Sequence, residues 1–284
     1  MELIFAAALC SVAVSILLKL AKQHGLSPIH LIAWNYATAS ILCFLWFKPD
    51  LQHVSLSNTP WLLIVALGIL LPSVFLLLAK SLQTAGILKT EIAQRLSVVL
   101  SLAAAYFLFQ EQFNTLKIFG VIFGIAAVLC ILWSNRVDAS SSNKGMFYLV
   151  AVWLGYACID VLLKYTTSLG VQFSVALNLM FVCAFICSMS YLFIQHRHFG
   201  TVKNIGAGLL LGLLNFANIA LYVKAHMLLK DTPAIVFAGM NILVVVFGVL
   251  AGLIFFKEKL KTASSIGLLL GVISMLCLAY AMSA

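Results

Sequence analysis

The sequence predicts an all-α polytopic membrane protein of ten transmembrane helices, arranged as two inverted five-helix repeats. Three observations predict it. First, 64% of the 284 residues are hydrophobic and only 9% are charged, with a mean hydropathy of +1.13. A soluble domain is about half apolar and roughly a quarter charged, so this chain lacks the charges to coat a soluble globule. A soluble enzyme, a nucleic-acid binder and a disordered chain are excluded together. Second, the apolar residues fall into ten runs of about 20 residues, the length at which a helix crosses a bilayer with its backbone hydrogen bonds satisfied internally. Third, the chain repeats itself at an offset near 145 residues.

The ten runs cover roughly 2–22, 28–47, 60–83, 87–109, 115–134, 146–167, 173–194, 204–229, 232–256 and 262–282. Helix one closes on Lys19 and Lys22, with no cleavage-type polar region behind it. A polar loop, Lys48 to Thr59, separates helices two and three. Pro72, followed by Ser73, predicts a kink in helix three, with freed carbonyls available to a site or hinge. Helix four opens with Lys89, Glu91, Gln94 and Arg95. Glu91 and Arg95 are four residues apart, so they share a face and can pair. Ionisable groups within a span usually face the bundle interior or a water-filled cavity. Val98, Ser101 and Ala105 continue that face with small residues. Helix five carries Gly120 and Gly124 on one face, where two backbones can approach closely.

A Ser-rich linker then joins two repeats, the first taken as 1–138, the linker as 139–145 and the second as 146–284. Asp160 lies deep in helix six with Lys164 four residues on, which again allows a local ion pair. A carboxyl group there is a candidate proton carrier or substrate ligand. Its repeat counterpart is Ser15, so the acid is not duplicated. After the polar loop Gln195 to Lys203, helix eight carries Gly208, Gly212, Asn215, Asn218, Tyr222 and His226 at helical spacing. That stripe lines a cavity or bonds a neighbouring helix. Asn241 in helix nine is a similar candidate, and Gly248 and Gly252 form a packing face there. Gly267 and Gly271 repeat the helix-five pattern in helix ten. The seven cysteines all fall inside apolar runs without a CxxC pair and read as packing residues.

The repeat is read from matched residues. Lys19 and Gly25 match Lys164 and Gly170 at an offset of 145. Gly68 and Lys80 match Gly212 and Lys224 at 144, and Glu111, Thr115, Gly120 and Gly124 match Glu258, Thr262, Gly267 and Gly271 at 147. Five is odd, so the second unit enters the membrane from the face opposite to the first. Inverted repeats of this kind suit alternating access to a site between them. One chain already holds both repeats, so a monomer suffices.

Phe109-Gln110-Glu111-Gln112-Phe113 with Gly120 and Gly124, and Phe256-Lys257-Glu258-Lys259-Leu260 with Gly267 and Gly271, resemble the repeated signature of the EamA-like transporters of the drug/metabolite transporter superfamily. The Lys19 and Lys164 ends of the first helix of each half share in that resemblance, which covers essentially the whole chain. It implies a ten-span carrier for small organic molecules in a bacterial inner membrane. Its relatives handle amino acids, sugars, nucleotide-type metabolites, cationic amines and drugs. Small multidrug-resistance exporters of the same superfamily use a glutamate midway along their first helix. Here Ser11 and Ser15 stand in that region.

The embedded charges favour a carboxylate or phosphate cargo, because Lys19, Lys80, Arg95, Lys164 and Lys224 outnumber Glu91 and Asp160. An amino acid or small organic acid, moved outward, is the expected substrate. The expected substrate-binding residues are Glu91, Gln94, Arg95, Asp160, Lys164, Asn215, Asn218, Tyr222 and Asn241. Gating or structural roles fall to Pro72, Glu111, Gly120, Gly124, Glu258, Gly267 and Gly271. Protons are a candidate coupling ion, the bilayer is the surrounding partner, and no cofactor or metal is expected. Alternatives are an organic-cation exporter of the same fold and a lipid flippase or scramblase. An HExxH motif and a GxxxxGK[ST] motif are both missing from the sequence, which argues against an intramembrane zinc hydrolase and against ATP hydrolysis. Of the 17 Lys and Arg residues, 12 fall toward one membrane face and 5 toward the other. The positive-inside rule puts the richer face in the cytoplasm and both termini outside, whereas the resemblance implies termini inside.

Overall fold

The computed structural model describes every residue except 53, 56–58, 111–112, 137–142, 198 and 284. Glu111 and most of the predicted linker therefore lie outside the described residues. Among the described residues the secondary structure is entirely helical. The helices are α1 (Glu2–Ala21), α2 (Pro28–Phe47), α3 (Trp61–Thr84), α4 (Ile87–Arg95), α5 (Ser97–Phe109), α6 (Thr115–Arg136), α7 (Asn143–Ser168), α8 (Phe173–His196), α9 (Val202–Leu228), α10 (Pro233–Ile254) and α11 (Thr262–Ser283). They make ten segments long and apolar enough to cross a membrane, with α4 and α5 together forming the fourth, Ile87–Phe109. The predicted spans thus hold, with one internal difference in the fourth.

That difference is a break at Leu96, for which the sequence carries no glycine or proline. The carbonyls loosened by the break are captured by side chains. Ser97 Oγ donates to the Gln94 carbonyl at 2.7 Å, and the Trp153 indole N–H of α7 donates to the Leu96 carbonyl at 3.0 Å. In a bilayer interior, such groups must find protein partners or water. Pro72 stays inside a continuous α3 and is buried, while Ser73 Oγ donates to the Ile69 carbonyl at 2.7 Å.

Connections this short force successive spans to alternate in direction. Both chain ends, and the connections after α2, α5, α7 and α9, therefore share one side, called here the termini face. The connections after α1, α3, α6, α8 and α10 share the other, the basic face. The helices pack in a regular scheme. α1 packs on α9 and α10, and α7 packs on α3 and on α4 with α5. α2 packs on α9, and α8 on α3; α2 meets α8, α4 meets α10 and α6 meets α11. Exchanging the first five spans for the last five leaves these partnerships unchanged.

The glycines explain several of these approaches. In the α6–α11 pair, a Cβ added at Gly120 would meet Leu278 at 2.7 Å, and one at Gly124 would meet Ser274 Oγ at 2.8 Å. At Gly267 it would meet the Ala127 carbonyl oxygen at 3.0 Å, whereas at Gly271 the nearest atom is 3.6 Å away. Ser274 Oγ donates to the Gly120 carbonyl at 2.6 Å, and the Ser134 and Ser264 hydroxyls meet at 2.7 Å. A second apolar core, from Leu88, Ile92, Leu96 and Val99 to Val128, Ile131, Met275 and Leu278, joins this pair to the fourth span. The main core runs through α1, α2, α3, α7, α8, α9 and α10, and the cavity lies within it.

Candidate functional site

The main core encloses a cavity of about 680 Å³. Its wall reaches the termini face at Phe173, Met227 and Lys230 and stops short of the basic face at Ser15, Leu78 and Gln94. It is therefore open at one end. Most of the wall is apolar, from Leu71, Val74, Phe75 and Leu78 of α3, Met180 and Phe181 of α8, and Phe237 and Met240 of α10. A few polar groups converge on this surface, a pattern typical of small-molecule sites.

The charged groups on the wall are Arg95, Asp160 and Lys230. Arg95 ends α4, beside the break, and its Nη2 donates to Ser11 Oγ of α1 at 2.5 Å. Its Nε is buried without a hydrogen-bond partner. Asp160 of α7 is solvent-exposed although it lies midway through a span, because it faces the cavity. Its Oδ2 accepts from Ser101 Oγ at 3.0 Å, and Arg95 acts on it electrostatically. A cationic and an anionic group thus share one apolar chamber.

Of the other expected ligands, Gln94, Asn215, Asn218, Tyr222 and Asn241 line the cavity. Asn215 Nδ2 donates to Asn35 Oδ1 at 3.1 Å, and Asn241 Nδ2 donates to the Phe237 carbonyl at 2.9 Å. Asn218 Oδ1 is buried without a hydrogen-bond partner. Tyr222 sits edge-on to His226, with ring centroids 4.7 Å apart. The helix-eight stripe divides in two. Asn215, Asn218, Tyr222 and His226 reach the cavity, but Gly208 and Gly212 lie against α2, where added Cβ atoms would meet Trp34 and the Asn35 carbonyl.

Two expected ligands lie off the cavity wall. Glu91 is 1% exposed and sits behind it, accepting a hydrogen bond from Ser15 Oγ. Lys164 lies over the Phe109 ring, 5.0 Å from its centroid. Glu91 and Arg95 do not form the ion pair that their helical spacing allows. Serines of α1 answer Glu91 and Arg95, and Ser101 answers Asp160. Sequence reading also missed Tyr156 and Tyr36 on the wall.

The basic-face end is closed by Glu258, from the connection before α11. Its carboxylate accepts the Ile87 and Leu88 backbone N–H groups at 2.8 and 3.1 Å. It also forms an ion pair with Lys19, whose ammonium lies 4.2 Å from the Phe256 ring centroid. α4 has no capping side chain of its own, so Glu258 supplies the acceptor that the positive end of the helix requires. Gly86, at φ +95°, makes room: a Cβ there would lie 2.8 Å from the Glu258 carboxylate. The sequence marked Glu258 as gating or structural, and its contacts join α1, α4 and the α10–α11 connection.

Comparison with known proteins fits this architecture. The EamA-like transporter family matches residues 2–133. A Haemophilus influenzae relative, described as an uncharacterized protein, is 38% identical over 287 residues, covering 98% of this chain and 97% of its own. A crystal structure sharing 16% identity superposes with a TM-score of 0.55 over 96% of this chain and 98% of its own, a likeness of fold alone. With ten apolar spans around one polar-lined cavity and a family match across the first five, the chain belongs to the EamA-like transporter family, and is a multi-pass membrane transporter of the drug/metabolite type.

Proposed function

We propose that the protein carries a small metabolite bearing a carboxylate, an amino acid above all, outward across a bacterial inner membrane by alternating access. The observation that carries this reading is that Arg95 and Asp160 line the same, mostly apolar cavity. A guanidinium holds a carboxylate by paired, charge-assisted hydrogen bonds, and its idle Nε has a donor to spare. A carboxylate holds an ammonium group. The α3, α8 and α10 walls suit an aliphatic or aromatic side chain. Gln94, Asn215, Asn218, Tyr222 and Asn241 supply neutral polar contacts. Pro72, Gly120, Gly124, Gly267 and Gly271 hold the helix packing, and Glu258 with Lys19 closes the basic face. Symmetric packing of the two halves supports an inverted pair that rocks about the cavity.

The test uses three compounds with the same side chain: leucine, 2-hydroxyisocaproate, which lacks the ammonium, and isoamylamine, which lacks the carboxylate. A ligand of the folded state raises its apparent thermal stability. Leucine is expected to stabilise the purified protein more than either fragment. Arg95→Ala is expected to remove the carboxylate contribution, and Asp160→Asn the ammonium contribution. The exposure of Asp160 to a cavity edged by Tyr36, Tyr156 and Tyr222 also favours a second reading, an organic-cation exporter. Stabilisation by isoamylamine and tetraphenylphosphonium but not leucine, lost in Asp160→Asn, would establish that reading instead.

A further inference from the structure

Glu91 has no part in the proposed ligand contacts, yet it is built into the fold with care. α1 and α4 run antiparallel, so two serines one turn apart meet two charged residues one turn apart. Ser15 donates to Glu91 Oε1, and Ser11 accepts from Arg95. Gly248 of α10 leaves room for the glutamate: a Cβ there would lie 2.8 Å from Glu91 Cγ. The second carboxyl oxygen, Oε2, is buried without a hydrogen-bond partner.

The surrounding charges are few. On α4 itself are Arg95, which acts on Glu91 electrostatically without forming an ion pair, and Lys89. From α7, Tyr156 lies within electrostatic range of Glu91, Arg95 and Asp160. From α1, Lys19 is turned to Glu258. α10 and α11 carry no charged residue, and the Lys80 ammonium of α3 lies 5.7 Å from the Tyr148 ring centroid. A carboxylate with one oxygen idle in such a place is heavily penalised, whereas a neutral acid is penalised far less.

We propose that Glu91 is a proton-carrying residue of the transport cycle, held as the neutral acid while the cavity is open to the termini face. When α1 parts from α4 and the Lys19–Glu258 contact opens, water enters from the basic face. The Glu91 O–H bond then breaks, the proton passes to that water, and the electron pair stays on the carboxylate, with Arg95 one turn away. The sealed basic-face end, one turn beyond Glu91, makes protonation and conformation report on each other. The opposite conformation rests on the alternating-access reading; the protonation state in this one does not.

The test is infrared spectroscopy of the purified protein at neutral pH, with and without 13C-glutamate labelling. The chain has four glutamates, at positions 2, 91, 111 and 258. The C=O band of a protonated carboxyl group is expected. It should shift with the label, persist in Asp160→Asn and disappear in Glu91→Gln. If Glu91→Gln does not fold, Ser15→Ala decides: loss of the serine hydrogen bond should raise the frequency of the labelled band. A wild-type protein without a label-sensitive protonated band, a band that survives Glu91→Gln, or one unmoved by Ser15→Ala overturns the proposal. None of these readings depends on the leucine series, so each proposal can fail alone.

Discussion

Arg95 shows how much one residue can rest on its neighbours. It is placed by the α4 terminus, oriented by Ser11 and left with a free donor beside an apolar wall. Gly124 and Gly271 make a sharper comparison, because they occupy equivalent places in the two halves. A methyl group at Gly124 would press on Val99 Cγ2 and Ser274 Oγ, while one at Gly271 meets nothing closer than 3.6 Å. Gly124→Ala is expected to destabilise by about 1–3 kcal/mol, the usual scale of overpacking. Gly271→Ala should stay within about 0.5 kcal/mol of wild type. Reversible unfolding in mixed micelles measures both. The sequence gives these glycines one reading, as a shared small-residue face. It cannot reveal which of them is tight, because that depends on the rotamers of Val99 and Leu278 across the interface.

At the scale of elements, the fourth span was legible as a span but not as two pieces. Its break rests on a tryptophan 57 residues away donating to Leu96, a partnership no local pattern contains. Trp153→Phe keeps the ring and removes the donor. It is expected to cost about 0.5–1.5 kcal/mol, the usual net value of one hydrogen bond, and to alter turnover more than ligand affinity. Glu258 was recognised from its repeated position, but its capping of α4 came only from the fold. Glu258→Ala uncaps that helix, which costs about 0.5–2 kcal/mol. Lys19→Met should be non-additive with it in a double-mutant cycle, because the two share a contact. Additive effects would remove the closure assigned to the basic face. The charges of helices four and six were visible in sequence, and the spacing suggested local pairs. The structure joins Glu91, Arg95 and Asp160 to hydroxyls of other helices, Ser15 and Ser11 of α1 and Ser101 of α5, which no local spacing reveals.

Across the whole molecule, ten spans were readable because bilayer thickness fixes helix length, while the two repeats were expected from matched Gly, Lys and Glu residues. The cavity was only half readable: its polar stripe on α9 was clear to Asn215 and beyond, but which end of the stripe packs on α2 was not. The charge count and the family resemblance point to opposite orientations, and a fusion experiment decides between them. On the charge count the basic face is expected in the cytoplasm, so alkaline phosphatase fused to the C-terminus should be active and a fluorescent-protein fusion dark. The reverse pair of results would turn the cavity toward the cytoplasm. The central claim, that Arg95 serves a carboxylate in an alternating-access cavity, is tested most directly by counterflow in proteoliposomes. Unlabelled leucine inside is expected to accelerate entry of labelled leucine from outside, and Arg95→Ala, folded to the same melting temperature, is expected to abolish the effect. Leucine entry no faster than into empty liposomes, or counterflow undiminished in Arg95→Ala, would contradict it.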